Sequence, residues 1–345
     1  MKKSLKALAL VLVMVIATVF TACGNGGTEN TDGKKTYKIG LCNYVDDASL
    51  NQICDAIQEE LKALETEKDV HFEVRYDNCN ADTNVLTQIA SNFSGGKTDL
   101  IIGVATPVAM VMQTQTEDCQ TPVIFSAVSD PVSVNLVDSM EVPGGNVTGT
   151  SDMLNTGKIT ELMLAVNPEM KTVGLLYDIG QDSSTVPVKE AKDFFEAKGI
   201  KVVEATGTNA EEVSLAAKSL VNAGVEAVFT PTDNTIMQSE LAIYEIFEEA
   251  KIPHYAGADS FALNGAFVGY GVNYVELGKE TARMAAEVLV DGKKPAELAV
   301  RTFDNGIATV NEEIAESLGF DLEKIKEILK PFCTDVKTIK TGESF

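Results

Sequence analysis

The chain predicts an α/β protein of two doubly wound parallel-sheet lobes joined by a multi-strand hinge. Three observations set that expectation. Short apolar runs alternate with amphipathic helical segments almost without interruption, the pattern of βαβ units on a parallel sheet. The alternation pauses at Pro143-Gly144-Gly145, a turn signal, and then repeats, so the chain holds the same layout twice. Of the 345 residues, about 310 remain after a leader and tether, too many for one ordinary core and suited to two lobes.

The elements follow in order. Residues 37–44 (YKIGLCNY) form an apolar strand, and 48–64 carry apolar residues at helical spacing. Residues 71–76 are a second strand, 83–93 a helix, 99–105 (DLIIGVA) a buried strand, 107–116 a helix and 122–128 (PVIFSAV) another strand. Beyond the Pro-Gly-Gly turn, Val-Thr-Gly-Thr reads as a short extended crossing. The second round gives helices over 157–166, 186–198, 210–222 and 235–250, with strands over 172–177, 201–205, 227–230 and 253–256. A strand crossing over 267–274 (FVGYGVNY), a helix over 275–290, residues 301–310 and two short helices up to 329 close the body. Crossings near 148–152, 270–274 and 294–300 make a hinge that bends but does not twist freely. The expected division is 37–150 completed by 272–294 for lobe 1, 151–271 completed by 295–332 for lobe 2, and 333–345 as a tail.

Ahead of the body, Lys2, Lys3 and Lys6 precede an uncharged, mostly apolar run over 7–20, then Phe20-Thr21-Ala22-Cys23-Gly24. A basic start, a short apolar core and small residues before a cut mark a secretory signal. The run is shorter than the roughly 20 apolar residues that span a bilayer. Cys23 after Thr-Ala resembles the lipobox of bacterial lipoproteins, in which the cysteine is lipidated and becomes the new N-terminus. Phe20 departs from that motif, which usually carries Leu there. Residues 1–22 are therefore expected to be a signal peptide, Cys23 the lipidation site and 23–36 a Gly/Asn/Thr-rich flexible tether. Two acyl chains are enough for stable anchoring. The expected location is extracytoplasmic, attached to the cell membrane by lipid alone.

Net charge is −23, and losing the leader's three lysines makes it more negative still. That excludes nucleic acid and anionic lipid as partners, because counterion release needs a basic surface. Cys42, Cys54, Cys79, Cys119 and Cys333 form no CxxC or His-paired spacing, so no metal site and no cofactor are expected. Cys42 and Cys79 lie near the ends of two neighbouring strands, either as a disulfide or as buried free thiols. An enzyme is not expected. The two histidines, His71 and His254, belong to no nucleophile motif, and no G-x-S-x-G elbow or G-x-G-x-x-G is present.

In open parallel sheets, ligands bind at the carboxyl ends of strands beside helix N-termini. The loops expected there are polar, and two facing lobes would converge them on one cleft. Tyr44 ends a buried strand among acidic residues. Thr106 and Pro107 suit a helix start, with Thr106 as N-cap, and equally offer free N–H groups to an anion. Ser126, Ser129 and Asp130 end another strand, Asp130 beside Pro131 also fitting a turn. Ser183 and Ser184 are capping residues or hydroxyl donors. Asp233 and Asn234 precede a helix; one cap needs one polar side chain, and the surplus points to ligand contact. Asp259 follows a further strand. If Asp233 is a contact, alanine there weakens binding with little loss of stability.

The lipobox, 103–107 (GVATP), 128–132 (VSDPV), 143–149 (PGGNVTG), 231–235 (PTDNT) and 271–278 (GVNYVELG) together resemble the substrate-binding lipoproteins of ABC transporters. The best-known members of that family bind tryptophan and other aromatic amino acids. The similarity runs in order from about residue 38 to 310 and implies a type I periplasmic-binding-protein fold, capture of a small solute by hinge closure, and delivery to a permease with its ATPase. The sequence departs from the family at 178–182 (DIGQD), where an Asn-Pro-Gly-like turn is common, and at Asp46-Asp47, where a Glu-His pair is common. An α-amino acid would place its carboxylate on Thr106, the N–H groups behind Pro107 and Ser129. Its ammonium would pair with Asp233 or Asp259, and its side chain would lie under Tyr44. The expected protein is a monomer that takes an aromatic or large apolar amino acid. The alternatives are a ligand sensor for a receptor, or an importer component for a sugar or nucleoside-like solute.

Overall fold

The computed structural model describes residues 28–29, 33–303 and 306–342. The leader, Cys23 and most of the tether lie outside them. The first lobe opens with β1 (Thr28–Glu29), β2 (Lys35–Asn43), α1 (Ala48–Lys68), β3 (Val70–Asn78), α2 (Thr83–Gly95), β4 (Leu100–Val104), α3 (Thr106–Thr116), β5 (Val123–Ser126) and β6 (Val147–Ser151). The second holds α4 (Thr156–Val166), β7 (Thr172–Tyr177), α5 (Asp182–Ala197), β8 (Lys201–Thr206), α6 (Ala210–Asn222), β9 (Ala227–Thr230), α7 (Asn234–Glu249), β10 (His254–Ala256), α8 (Asp259–Leu263) and β11 (Val268–Gly271). The chain returns to the first lobe for α9 (Tyr274–Leu289) and β12 (Arg301–Thr302). It then ends in the second with β13 (Ile307–Asn311), α10 (Glu312–Ser317), α11 (Leu322–Leu329) and β14 (Asp335–Ile339).

Two sheets result. The first runs β2-β4-β5-β6-β12 in parallel, with β3 parallel on the far side of β2 and β1 antiparallel to its start. The second runs β14-β13-β11-β10-β9-β7-β8, parallel except between β11 and β13. Strands such as β4 and β9 are buried along their whole length, as expected where helices cover both faces. Helices begin on short acidic or amide caps: Asp47, Asp82, Asn155, Asn209, Asp233, Asn273, Asn311 and Asp321 each accept at least one backbone N–H of the first turn. Helix α9 lies tightly on α1, because at Gly278 a Cβ would come within 2.6 Å of the Ile53 carbonyl.

The lobe boundaries differ from the sequence expectation in two places. Arg301 and Thr302 pair with Thr150 and Ser151, and the Leu298 carbonyl accepts from Thr148 Oγ1 at 2.6 Å. The chain thus stays with the first lobe to residue 302, and the third crossing lies between β12 and β13, not at 294–300. The expected tail contributes β14, an edge strand whose mostly exposed residues lack the apolar run that marks a strand in sequence. Helix α5 begins at Asp182, a turn before residue 186, so Ser183 and Ser184 are helical. Pro187 sits inside the helix, in its second turn. The five cysteines after Cys23 are free thiols, with Cys42, Cys54 and Cys79 buried. Among the described residues no helix is long and apolar enough to cross a membrane, and no group of three or more His, Cys, Asp or Glu is placed to hold a metal.

Candidate ligand cleft

The carboxyl ends of both sheets face each other across the crossings, and the polar loops meet there. Tyr44, just past β2, is half-buried with its phenol engaged by Gln181 of the other lobe. Burial pushes the Tyr44 pKa up, opposed by the Gln181 hydrogen bond and reinforced by Cys79, Asp178 and Asp233. Gln181 is positioned in turn by Asn234, whose amide donates to Gln181 Oε1 at 2.9 Å. A second interlobe contact joins Ser49 and Asp259. Ser49 Oγ donates to Asp259 Oδ1 at 2.5 Å and accepts from the Ser260 N–H at 3.2 Å. Asp47 in the first lobe caps the same stretch, taking the Ser49 and Leu50 N–H groups at 2.9 and 3.1 Å. Ala48 packs beside Leu263 and Ile339.

Several expected contacts are engaged inside their own lobe. Asp233 accepts from the Thr235 and Ile236 N–H groups on one oxygen, and from the Asp178 N–H (2.8 Å) and Ser184 Oγ (2.7 Å) on the other. Its four donors all come from the second lobe, which corrects the reading of Asp233 as a surplus carboxylate free for an ammonium. Ser183 donates to the Thr232 carbonyl at 2.9 Å. Ser126 lies in a hydroxyl cluster with Thr281 (2.8 Å) and Thr150 (3.4 Å) beneath α9. Asp130 accepts the Ser133 N–H at 3.0 Å and is turn chemistry. Phe261 is fully buried against His254.

Helix α3 departs from the local rule. Its N-cap is Ala105, not Thr106, so Thr106 and Pro107 occupy the first helical positions with no capping side chain. Ala105 has φ +77° and ψ 154°, a region otherwise reserved for glycine that costs about 1–3 kcal/mol. Ala127, after β5, is also left-handed with φ +54°. Ala105 and Ala127 directly follow β4 and β5, and Ala81, beyond β3, is a third left-handed alanine with φ +57°; backbone strain of this kind clusters at functional sites. Relief of the strain makes Ala105→Gly more stable by about 1 kcal/mol in denaturant unfolding; an equal or lower stability would show that Ala105 is not strained.

Sequence reasoning missed Asp152, which directly follows β6 at the first crossing. It is 4% exposed, and Ser129 Oγ donates to its Oδ1 at 3.1 Å. Burial pushes its carboxyl up to about 6, against the Ser129 hydrogen bond. Nearby on the second crossing, Tyr274 is fully buried and its pKa is raised by burial and then by Asp152, Asp259 and Asp47. Asp259 is likewise pushed up to about 6 by burial, with Asp47 adding to the rise and Ser49 and Lys337 opposing it.

A cavity of about 250 Å³ adjoins the second-lobe side, lined by Asp178, Ile179, Gln181, Ser184 and Thr185 among others. Another, of about 550 Å³, lies at the hinge between Met153–Gly157, Glu190, Phe194, Thr302 and Phe303. It shares none of the strand-end residues described above.

Two α/β lobes, three crossings and a polar cleft spanned by contacts from both sides define a solute-binding protein of the type I periplasmic-binding class. Residues 38–330 match the family model for ABC transporter substrate-binding proteins, and the chain belongs to that family. It is 33% identical over 355 aligned residues to a tyrosine-binding protein of Clostridioides difficile, covering 100% of this chain and 99% of the relative. An L-Trp complex from Streptococcus pneumoniae has TM-score 0.80 at 31% identity, over 87% of this chain and 99% of that one. A ligand-free, open substrate-binding protein with adhesive properties from Clostridium difficile gives 0.67 at 32% identity, over 88% and 99%.

Proposed function

We propose that this substrate-binding protein captures an aromatic L-amino acid between its lobes and delivers it, by hinge closure, to an ABC permease. The observation carrying the solute assignment is the end-to-end similarity to a tyrosine-binding protein, supported by the likeness to a protein solved with L-Trp. The uncapped N-terminus of α3 supports a site for the amino-acid carboxylate, since free N–H groups and the helix dipole favour an anion. Tyr44, on the first lobe and in reach of Gln181, is placed to cover the ligand's side chain. Ligand contacts made from both lobes stabilise the closed state alone, which is the differential affinity that drives closure. The protein performs no chemistry on the solute. Cys23 carries the lipid anchor, and the body works outside the cytoplasmic membrane beside its permease.

Thermal unfolding with tyrosine, tryptophan, phenylalanine, isoleucine, myo-inositol and adenosine tests the reading. An aromatic amino acid at a hundred times its Kd adds about 2.7 kcal/mol, several degrees in Tm. A shift with inositol or adenosine, and none with any aromatic amino acid, overturns it.

A further inference from the structure

We propose that Asp152 is the residue that receives the ligand's ammonium group, holding it at the pivot between the lobes. The inference rests on the amino-acid reading above and follows from comparing the buried carboxylates around the cleft. Asp233 has four protein donors. Asp178 takes the Gly180 N–H on one oxygen and Thr235 Oγ1 on the other, both at 2.7 Å. Asp47 caps α1. Asp259 is held by Ser49 from across the cleft and lies in the field of Lys337. Asp152 differs from all of these. Among the described residues its carboxylate is met by Ser129 Oγ and its own backbone N–H, and no cation acts on it.

A carboxylate that is 4% exposed with no cation beside it holds its charge at a cost unless something completes it. An ammonium group supplies the missing countercharge along with further donors. The position suits this role. Asp152 stands on the first crossing, directly after β6, and Tyr274 stands on the second. Residues at the crossings move least when the lobes swing, so a ligand held there stays in place while the loops of either lobe close on it. Ser129 fixes the carboxylate from the first lobe, and the Ser129 carbonyl is itself fixed by Ser151 Oγ at 3.1 Å.

The test compares L-tyrosine with its desamino analogue, 3-(4-hydroxyphenyl)propanoate, by calorimetric titration of wild type and Asp152→Asn. Loss of one buried charge-assisted pair weakens L-tyrosine by about a hundredfold, while the analogue, which has no ammonium, binds both proteins within about twofold. A second measurement needs no variant. Ser129 and Tyr274 face Asp152, and no cation does, so near pH 6 the free protein holds part of a proton on this carboxyl. Binding L-tyrosine at pH 6 then releases about half a proton, read from titrations in buffers of different ionisation heat, and the analogue releases none. If Asp152→Asn weakens both ligands alike, or neither, or if proton release is the same for both, the assignment of Asp152 falls and the amino-acid reading stands. A wild-type protein that binds no α-amino acid overturns both.

Discussion

Replacing Asp233 with alanine destabilises the protein by about 3 kcal/mol. The side chain meets the Thr235 and Ile236 N–H groups of α7, the Asp178 N–H at the end of β7 and the Ser184 hydroxyl on α5. Alanine leaves these four donors without a partner at a site only 1% exposed. Each buried orphan costs about 1–3 kcal/mol, and removal of a buried carboxylate offsets part of the sum. Burial has already pushed this carboxyl up to about 6, against hydrogen bonds from Ile236, Ser184 and Asp178, which measures how poorly the site tolerates charge. Asparagine restores the cap oxygen but turns an amide N–H₂ toward the Asp178 N–H and Ser184, so Asp233→Asn recovers about half of the loss. Urea unfolding of the three proteins provides the measurement. A loss below about 1 kcal/mol for Asp233→Ala, with ligand affinity abolished, would return Asp233 to the role of a direct contact.

The second large effect is on pH. The ligand-free protein gains stability as pH falls from 7.5 to 5, the reverse of ordinary acid sensitivity. Asp152, Asp233 and Asp259 each have a carboxyl near 6 in the folded state, burial being the leading cause. In the unfolded chain they titrate near 3.8. Between these values the folded state binds more protons, so stability rises as pH falls through 6 and levels off below about 4. At pH 5, one unit below the folded value, each contributes about 1.4 kcal/mol. The groups facing them are few: Ser129 and Tyr274 at Asp152; Asp178, Tyr44 and Ser184 at Asp233; Ser49, Asp47, Lys337 and Tyr274 at Asp259. Four other carboxyls oppose the trend, among them the exposed Glu212, held low by the Thr208 N–H and hydroxyl and by Asn209. Glu65 is held low, despite burial, by Lys62, the Phe72 N–H and His71; Glu204 by Lys192 and Tyr177; and Glu287, despite burial, by Arg301 and Lys293. Their stabilisation is present above the unfolded value and fades as pH falls through their depressed values. The net gain at pH 5 is about 3 kcal/mol, or about 5 °C in Tm. A Tm that is flat or falls between pH 7.5 and 5 would mean that these three aspartates ionise as they do in the unfolded chain.

How much of this was legible in the sequence depends on how local the signal was. Strands 172–177 and 227–230 and the helix over 210–222 were read to the residue, because each is a clean run bounded by turn or cap residues. Of the family motifs, PTDNT lies at the carboxyl end of β9, whereas PGGNVTG leads into β6. The assignments that moved share a non-local cause. β14 is too polar to look like a strand and exists because β13 offers it an edge. Thr106 looked like an N-cap, but Ala105 takes that place in a backbone conformation that no propensity scale allots to alanine. Asp233 looked like an excess polar residue until Asp178 and Ser184, each about fifty positions away, were found on its second oxygen.

The sequence by itself determined the class: two α/β lobes, a break between them, an acidic body without metal or nucleotide motifs, and polar loops at strand ends. Those properties follow from periodicity, charge and turn chemistry, which act within a few residues of the chain. Only the tertiary structure decided which polar side chains are satisfied and which are not. Asp233 and Asp152 are alike in a sequence, each a short acidic residue soon after a strand. Folding brings donors from two distant segments to the first, at Asp178 and Ser184, and from one to the second, at Ser129. Hydrogen-bond satisfaction is a property of neighbours in space, and the donors that fill or spare a carboxylate come from segments that only the packed lobes bring together.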